Sequence, residues 1–191
     1  FGQEPRAMED SVRGDEYRFD SCRSDHIECP NAQFTGCEFL DCIFTACDLS
    51  GADLSSSRFF RCRFEGCRCI GAAFYESTWK DVVCDGCNFS YTNFGSAHFE
   101  RCAFTECLIK DGGFNLCHQK HLVFRSCDLQ ACSFASTSLA GIHLESNRID
   151  GITVSEESLR GVFLSPSQAI ALIALLSILG MSTGEGSKAV N

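Results

Sequence analysis

Large apolar residues recur at every fifth position between residues 32 and 64 of this chain, and a smaller residue stands two positions before each of them. An α-helix repeats every 3.6 residues and a β-strand every 2.0 residues, so neither produces a period of five. A backbone that coils produces a period of five if five residues form each short side of the coil. Positions i (the large residue) and i−2 then face inward, and the other three face water or turn the corner. The pattern predicts a solenoid.

The same register continues from Phe19 to Leu164 without an insertion, and only Ser24 and Gln119 lack an apolar or cysteine side chain at position i. Residues twenty apart also resemble one another, which indicates coils of four pentads stacked at the spacing of β-strands, about 4.8 Å. We therefore predict a repeat domain over residues 17–164. Its predicted core comprises Phe34, Phe39, Phe44, Leu49, Leu54, Phe59, Phe64, Phe74, Phe89, Phe94, Phe99, Phe104, Phe114, Phe124, Leu129 and Phe134.

All fifteen cysteines also fall at the inward positions, twelve at i−2 and three at i. Periodic spacing is unlike the irregular spacing of a secreted disulfide framework, so we interpret the thiols as small core residues. Cys84 and Cys87 form a C-x-x-C motif, which elsewhere serves redox chemistry or zinc binding. Because both face inward here, we expect inert, free thiols, with no metal site and no cofactor. The odd count, without an apolar signal sequence, favours a reduced, cytoplasmic protein.

No arrangement of catalytic residues stands out in the sequence. The five histidines fall at outward positions without an exposed nucleophile beside them, and no phosphate-binding glycine motif or nucleophile elbow occurs. We predict that the chain is not an enzyme and has no catalytic residues. His98 and His118 lie one coil apart in the same column, so a two-histidine metal contact is an alternative to ordinary surface histidines.

The segment from Asn115 to His121 interrupts the apolar pattern, because Gln119 occupies position i. An unpaired buried amide costs about 1–3 kcal/mol, so a local bulge is the preferred interpretation. A buried glutamine with a satisfied amide and a functional loop are the alternatives.

The charge is negative and unevenly distributed. The formal net charge is −9, which argues against direct binding to nucleic acid or an anionic membrane and allows a basic protein partner. The column that contains Phe34 and Phe74 carries Asp53, Glu76 and Glu156 but no lysine or arginine, whereas the Phe39 column carries six acids and seven bases. We predict an acidic interaction surface formed by Asp53, Glu76, Glu156, Asp48 and Asp128. A merely solubilising surface is the alternative.

The pentad pattern ends at Leu164 and a helix pattern follows. Ser165, Pro166 and Gln168 match a capping box with proline at the first helical position. The predicted helix over residues 165–180 is too short to span a bilayer and apolar nearly all round, so we expect a two-fold homodimer through it. A helix that only caps its own core is the alternative. The predicted interface comprises Pro166, Gln168, Ala169, Leu172, Ile173, Leu175, Leu176 and Leu179. Residues 1–16 and 181–191 are expected to be flexible tails.

Several motifs resemble those of pentapeptide-repeat proteins, among them Ala52-Asp53-Leu54-Ser55, Cys127-Asp128-Leu129-Gln130 and Ser90-Tyr91-Thr92-Asn93-Phe94. The resemblance covers about residues 17–164. It implies an all-β solenoid of the right-handed quadrilateral β-helix type, with four pentads per coil, followed here by a C-terminal α-helix. Fold alone does not determine function, and a structural or scaffold role is one possible outcome.

The C-terminal region is similar to that of the quinolone-resistance (Qnr) branch and of the mycobacterial fluoroquinolone-resistance protein. The shared features are an apolar helix after the repeats and the element Pro166-Ser167-Gln168-Ala169. The resemblance implies a dimeric DNA mimic that binds the type II topoisomerases DNA gyrase and topoisomerase IV and protects them from quinolones. Many Qnr proteins carry two loops that interrupt the rod. This register contains no such insertions, so the chain looks more like the loop-free members.

Overall fold

The computed structural model describes residues 17–181, and within the C-terminal helix it describes side chains as far as residue 174. The described part of the chain contains short strands followed by one helix. The strands are β1 (Arg18–Asp20), β2 (Arg23–Asp25), β3 (Glu38–Leu40), β4 (Ile43–Thr45), β5 (Arg58–Phe60), β6 (Arg63–Glu65), β7 (Thr78–Lys80), β8 (Val83–Asp85), β9 (His98–Thr105) and β10 (His118–Arg125), and the helix is α1 (Pro166–Met181).

Every strand pairing is parallel and joins residues twenty apart, as in Phe19↔Phe39 and Phe39↔Phe59. The sheet runs β1-β3-β5-β7-β9-β8-β6-β4-β2, with β10 beside β9. Isolated bridges with the same offset continue along the chain as far as His143↔Phe163. A constant offset of twenty with parallel pairing requires the backbone to coil. The predicted β-solenoid with a C-terminal helix is confirmed.

The core is a set of stacked aromatic columns along the axis of the solenoid. Phe74 and Phe94 stack with ring centroids 5.4 Å apart, and Phe94 and Phe114 stack at 4.7 Å. Fifteen of the sixteen predicted core residues are buried, and Phe44 is half-buried. Phe44 is less covered because Ser24 stands at position i of the preceding coil, where most coils carry a large apolar side chain. The pentad rule therefore identifies the core from sequence.

The corners of the coil are residues two positions after i, and most of them have a positive φ angle. Glycine takes this conformation readily, as Gly51 does at +67°, but Tyr91 and Leu116 also adopt it, at +60° and +58°. The left-handed region costs a non-glycine residue roughly 1–2 kcal/mol. Many corners are held by the neighbouring coil, because the corner amide donates to a carbonyl there, as Tyr91 N does to Lys110 O at 2.8 Å. The stacking stabilises a turn that an isolated pentad would not hold.

The bulge predicted at Gln119 is wrong. Gln119 pairs with Phe99 in the unchanged register of twenty, and β10 runs through it. The side chain is half-buried, and its Nε2 donates to Ser138 O at 3.3 Å and to Ala140 O at 3.0 Å. Among the described strands, β10 pairs only with β9. On the far side of β10, where no further strand pairs with it, the amide of Gln119 therefore links β10 to the next coil. This agrees with the alternative interpretation, a glutamine whose amide is satisfied.

A second departure from the register occurs at residues 155–161. Glu157 stands at an i−2 position, yet its side chain is exposed and Ser158 is buried instead. Ser158 takes the inward position in place of Glu157, and its Oγ donates to Phe134 O at 3.3 Å. A carboxylate would lose its hydration at an inward position without a partner, so the turn shifts by one residue to keep it in water.

The capping box at the start of α1 is present. Gln168 N donates to Ser165 Oγ at 3.3 Å, and Ser165 N donates to Gln168 Oε1 at 2.8 Å. The expected flexible tail at residues 1–16 lies outside the described residues, as do residues 182–191 of the other expected tail. Within residues 17–181, no helix is long and apolar enough to cross a membrane.

Candidate functional site

The C-x-x-C motif lies inside the core. Cys84 and Cys87 are both buried, and burial raises the pKa of the Cys84 thiol well above its usual value. Burial likewise raises the pKa of Cys62 to about 12. Because the Cys84 thiol stays protonated, it is a poor nucleophile and a poor metal ligand, and burial keeps Cys87 away from reagents and ions in solution. Cys22 is exposed and Cys29 is half-buried, because both lie on the first coil and no described coil precedes it. Cys22 therefore occupies an inward position at the open end of the core without being buried.

We expect alkylating reagents to separate the cysteines by position. At pH 8, iodoacetamide should modify Cys22 within minutes, whereas the thirteen buried thiols should react at least about 100-fold more slowly, at the rate of opening of the solenoid. Peptide mass spectrometry after timed quenching measures this difference, and protein unfolded in urea is the control in which all cysteines react together. Rapid labelling of Cys84 or Cys87 in the folded protein would contradict the buried assignment.

The acidic face consists of the column 32–36, 52–56, 72–76, 92–96, 112–116, 132–136 and 152–156, which contains no lysine or arginine. Glu76 lies at a corner of this face, Glu156 lies in the shifted turn at residues 155–161, and both are exposed. Asp53 is half-buried, and its Oδ1 accepts a hydrogen bond from Ser55 N at 3.0 Å. Within residues 17–181, these three carboxylates form no ion pair. Their charge is therefore available to a partner.

The other two carboxylates of the predicted acidic surface lie on a neighbouring face and have basic partners. Asp128 Oδ2 lies 3.3 Å from Lys110 Nζ and 3.3 Å from Arg148 Nη1, and the Asp128 side chain is 15% exposed. Asp48 Oδ2 lies 3.8 Å from Arg68 Nε. Burial opposes ionisation of Asp48, but hydrogen bonds from Ser50 and the charge of Arg68 outweigh it and lower the pKa of Asp48. Both carboxylates are partly neutralised within the chain, unlike Glu76 and Glu156.

The column of Phe39 carries ladders of ion pairs between successive coils. We name it the ladder face, and it comprises residues 37–41, 57–61, 77–81, 97–101 and 117–121. Arg61 binds Asp41 through two bonds of 2.7 and 2.8 Å. Arg101 binds Asp81 in the same bidentate manner and also contacts Glu100. The hydrogen bond from Arg61 lowers the pKa of Asp41, and the one from Arg101 lowers that of Asp81.

Sequence reasoning counted the charges of the ladder face but missed their pairing. The signal was present, because the corner residues Asp41, Arg61, Asp81 and Arg101 alternate in sign every twenty positions. At the spacing of parallel strands, alternating charges in one column meet their opposites on both sides. The ladder face therefore neutralises itself, and the net negative charge of the chain is expressed elsewhere.

The helix α1 lies against the end of the solenoid through Gln168 and Leu172. Gln168 Nε2 donates to Leu144 O and Asn147 O, both at 2.9 Å, and Leu172 is buried. These two predicted interface residues therefore make contacts within the chain. Pro166 is exposed and Ala169 half-buried, and Ile170 and Ile173 are 69% and 64% exposed. The side chains of Leu175, Leu176 and Leu179 lie outside the described residues.

A family model described as pentapeptide repeats matches residues 29–66 and 67–105, with eight copies of the repeat. The match coincides with the stretch in which the register of twenty, the inward cysteines and the aromatic columns are all present. Pentapeptide repeats are therefore present over residues 29–105. Comparison of the chain with curated protein sequences finds no match.

Several solved structures are similar to this chain. HetL, a protein involved in heterocyst differentiation regulation from the cyanobacterium Nostoc sp. strain PCC 7120, is 13% identical with a TM-score of 0.49, over 81% of this chain and 89% of HetL. QnrB1, a plasmid-mediated fluoroquinolone resistance protein, is 18% identical with a TM-score of 0.29, over 83% of this chain and 99% of QnrB1. Rfr23 from the cyanobacterium Cyanothece 51142 is 9% identical with a TM-score of 0.35, over 78% of this chain and 91% of Rfr23. At these identities the likeness concerns the fold alone.

Proposed function

We propose that this protein binds bacterial type II topoisomerases, DNA gyrase and topoisomerase IV, as a mimic of DNA and protects them from quinolones or similar poisons. It acts in the cytoplasm by occupying the basic groove of the enzyme that otherwise holds DNA. It contributes to antibiotic resistance without chemistry of its own.

The observation that carries this proposal is the uneven distribution of charge. The ladder face pairs its acids with arginine and lysine, whereas Glu76 and Glu156 on the acidic face are exposed and form no ion pair within residues 17–181. A solenoid that has one face without cations, in a chain of net charge −9, suits a basic groove that accepts duplex DNA.

Dimerisation through α1 completes the proposed ligand. Ile170 on α1 and Phe163 on the last coil expose 69% and 48% of their surface, and they lie at the same end of the rod. Two copies joined there by a two-fold axis would double the length of the acidic surface.

A scaffold role is the second candidate, and the spacing of the acidic residues favours it. Glu76 and Glu156 are eighty residues apart, which corresponds to four coils or about 19 Å along the axis. The phosphates of duplex DNA are spaced far more closely along the helix axis than these two carboxylates are along the solenoid. On the scaffold hypothesis the acidic face serves solubility alone.

A supercoiling assay with DNA gyrase, with and without ciprofloxacin, distinguishes the two functions. We expect micromolar protein to inhibit supercoiling or to restore it in the presence of the drug. The triple variant Asp53→Lys, Glu76→Lys and Glu156→Lys should weaken this effect at least about tenfold and reduce its dependence on salt, because exposed charges act through screened electrostatics.

The matched control is Asp25→Lys, Asp85→Lys and Glu106→Lys, which changes the net charge equally at exposed positions on another face. It should retain the effect. An equal loss in both triple variants would show that only net charge matters. Absence of inhibition and of rescue by the unaltered protein would reject topoisomerase binding in favour of the scaffold role.

A further inference from the structure

The ladder face carries a pair of stacked imidazoles. His98 on β9 and His118 on β10 are register partners, and their rings are parallel within 7° with centroids 4.7 Å apart. Both side chains are exposed. β9 and β10 are the longest strands of the described chain and pair over seven positions, so the two Cβ atoms are held by a rigid backbone.

The ring nitrogens of this pair differ from those of two other histidines. His26 Nδ1 lies 2.8 Å from Asp25 Oδ1, and His143 Nδ1 lies 3.2 Å from Glu145 Oε1. Within residues 17–181, no hydrogen bond or ion pair engages the nitrogens of His98 or His118. Four nitrogens therefore face solvent at one place on the surface.

Two nitrogens that bind one ion at 2.0–2.1 Å are at most about 4.2 Å apart. In the stacked arrangement the in-plane lone pairs of the two rings are parallel, so both rings must turn out of the stack before one nitrogen of each faces a common ion. The torsion between Cβ and an imidazole ring is soft and allows this turn. The preceding residue of the column, Thr78, and the following one, Ser138, are uncharged. Two positions after each histidine stands a charged residue, Glu100 on β9 and Lys120 on β10. Glu100 is paired with Lys80 at 3.3 Å, so Lys120 is the cation nearest in sequence to His118.

We propose that His98 and His118 form a surface site for a divalent transition-metal ion such as Ni²⁺, Cu²⁺ or Zn²⁺. Neutral imidazole is a preferred ligand for these ions. Within the described residues no third histidine, cysteine or carboxylate joins the pair, so the protein supplies two ligands and water fills the remaining positions. Such a site is open to a further ligand from another molecule. The inference does not depend on topoisomerase binding.

Titration of the full chain with Ni²⁺ by isothermal calorimetry tests the site, because this ion oxidises thiols less readily than Cu²⁺. We expect one Ni²⁺ per chain, with His98→Gln or His118→Gln weakening the binding at least tenfold. In protein labelled with ¹⁵N-histidine, Ni²⁺ should broaden the ring signals of these two residues first. Acidification should release the ion, because the ligand must be neutral.

The matched controls are His121→Gln and His143→Gln. His121 lies on the ladder face at the corner that follows His118, and His143 already contacts Glu145. Both should bind Ni²⁺ within about twofold of the unaltered protein. All four histidines are exposed, so circular dichroism should show that each variant folds. Absence of binding at millimolar Ni²⁺ would overturn the proposal. So would an affinity of the His98→Gln and His118→Gln variants equal to that of the unaltered protein.

Discussion

Replacement of Trp79 by alanine should lower the free energy of unfolding by about 3–5 kcal/mol, the range found for buried aromatic side chains. Trp79 is fully buried, and the rings of six phenylalanines surround it with centroids between 4.7 Å and 6.3 Å away. Its Nε1 donates to Ser77 Oγ at 2.8 Å. The coils above and below are fixed by their ladders, so the cavity cannot collapse fully. Urea unfolding followed by circular dichroism measures the loss.

Two variants serve as controls for this prediction. Trp79→Phe introduces the residue type that the two neighbouring coils carry at this position, Phe59 and Phe99. It should lower the free energy of unfolding by less than half as much as Trp79→Ala. Tyr91→Ala removes an aromatic ring that is 65% exposed and should change stability by no more than about 0.5 kcal/mol. A loss below about 1 kcal/mol for Trp79→Ala would show that the aromatic columns do not act as one packed core.

Replacement of Ile170 by aspartate should convert a dimer into a monomer. The unaltered protein is expected to have twice the chain mass of 21.0 kDa in light scattering at micromolar concentration, and the variant the mass of one chain. Ile170 is 69% exposed in the single chain, so the substitution spares the core but would bury a charge in a symmetric interface twice. The expected shift in the dimerisation constant is at least 100-fold.

Ser167→Asp introduces the same charge at an exposed position in the first turn of α1 and should remain dimeric. Unchanged thermal unfolding of both variants would show that α1 still packs on the last coil through Leu172 and Gln168. If the unaltered protein is a monomer at micromolar concentration, α1 only caps its own chain and the proposed dimer is wrong.

The sequence predicts much of the fold because the repeat is local. Each pentad shows its inward positions by residue type, so the buried residues from Phe34 to Phe134 can be identified without coordinates. The capping box at Ser165 and Gln168 was predictable for the same reason, since its hydrogen bonds join residues three apart. Where a local rule failed, at Gln119 and Glu157, a polar side chain stood at an inward position and the solution depended on neighbouring coils.

The candidate sites were harder to predict, because their residues are close only through stacking. The sequence grouped Asp48 and Asp128 with the free carboxylates of the acidic face, whereas their basic partners Arg68 and Arg148 lie twenty residues later. The sequence places Gln168 on the helix, but it does not predict that the amide of Gln168 donates to two carbonyls of the solenoid. Side-chain rotamers and hydrogen-bond partners decide such cases, and residue type alone does not specify them.

The amino-acid sequence by itself determined the period of five, the offset of twenty and the inward columns, because hydrophobic burial acts on each pentad in the same way. The tertiary structure decided which charges neutralise one another, how Gln119 links β10 to the following coil, and that His98 and His118 lie ring to ring. These contacts cross between coils, and their geometry exists only once parallel strands have brought residues twenty apart to about 4.8 Å.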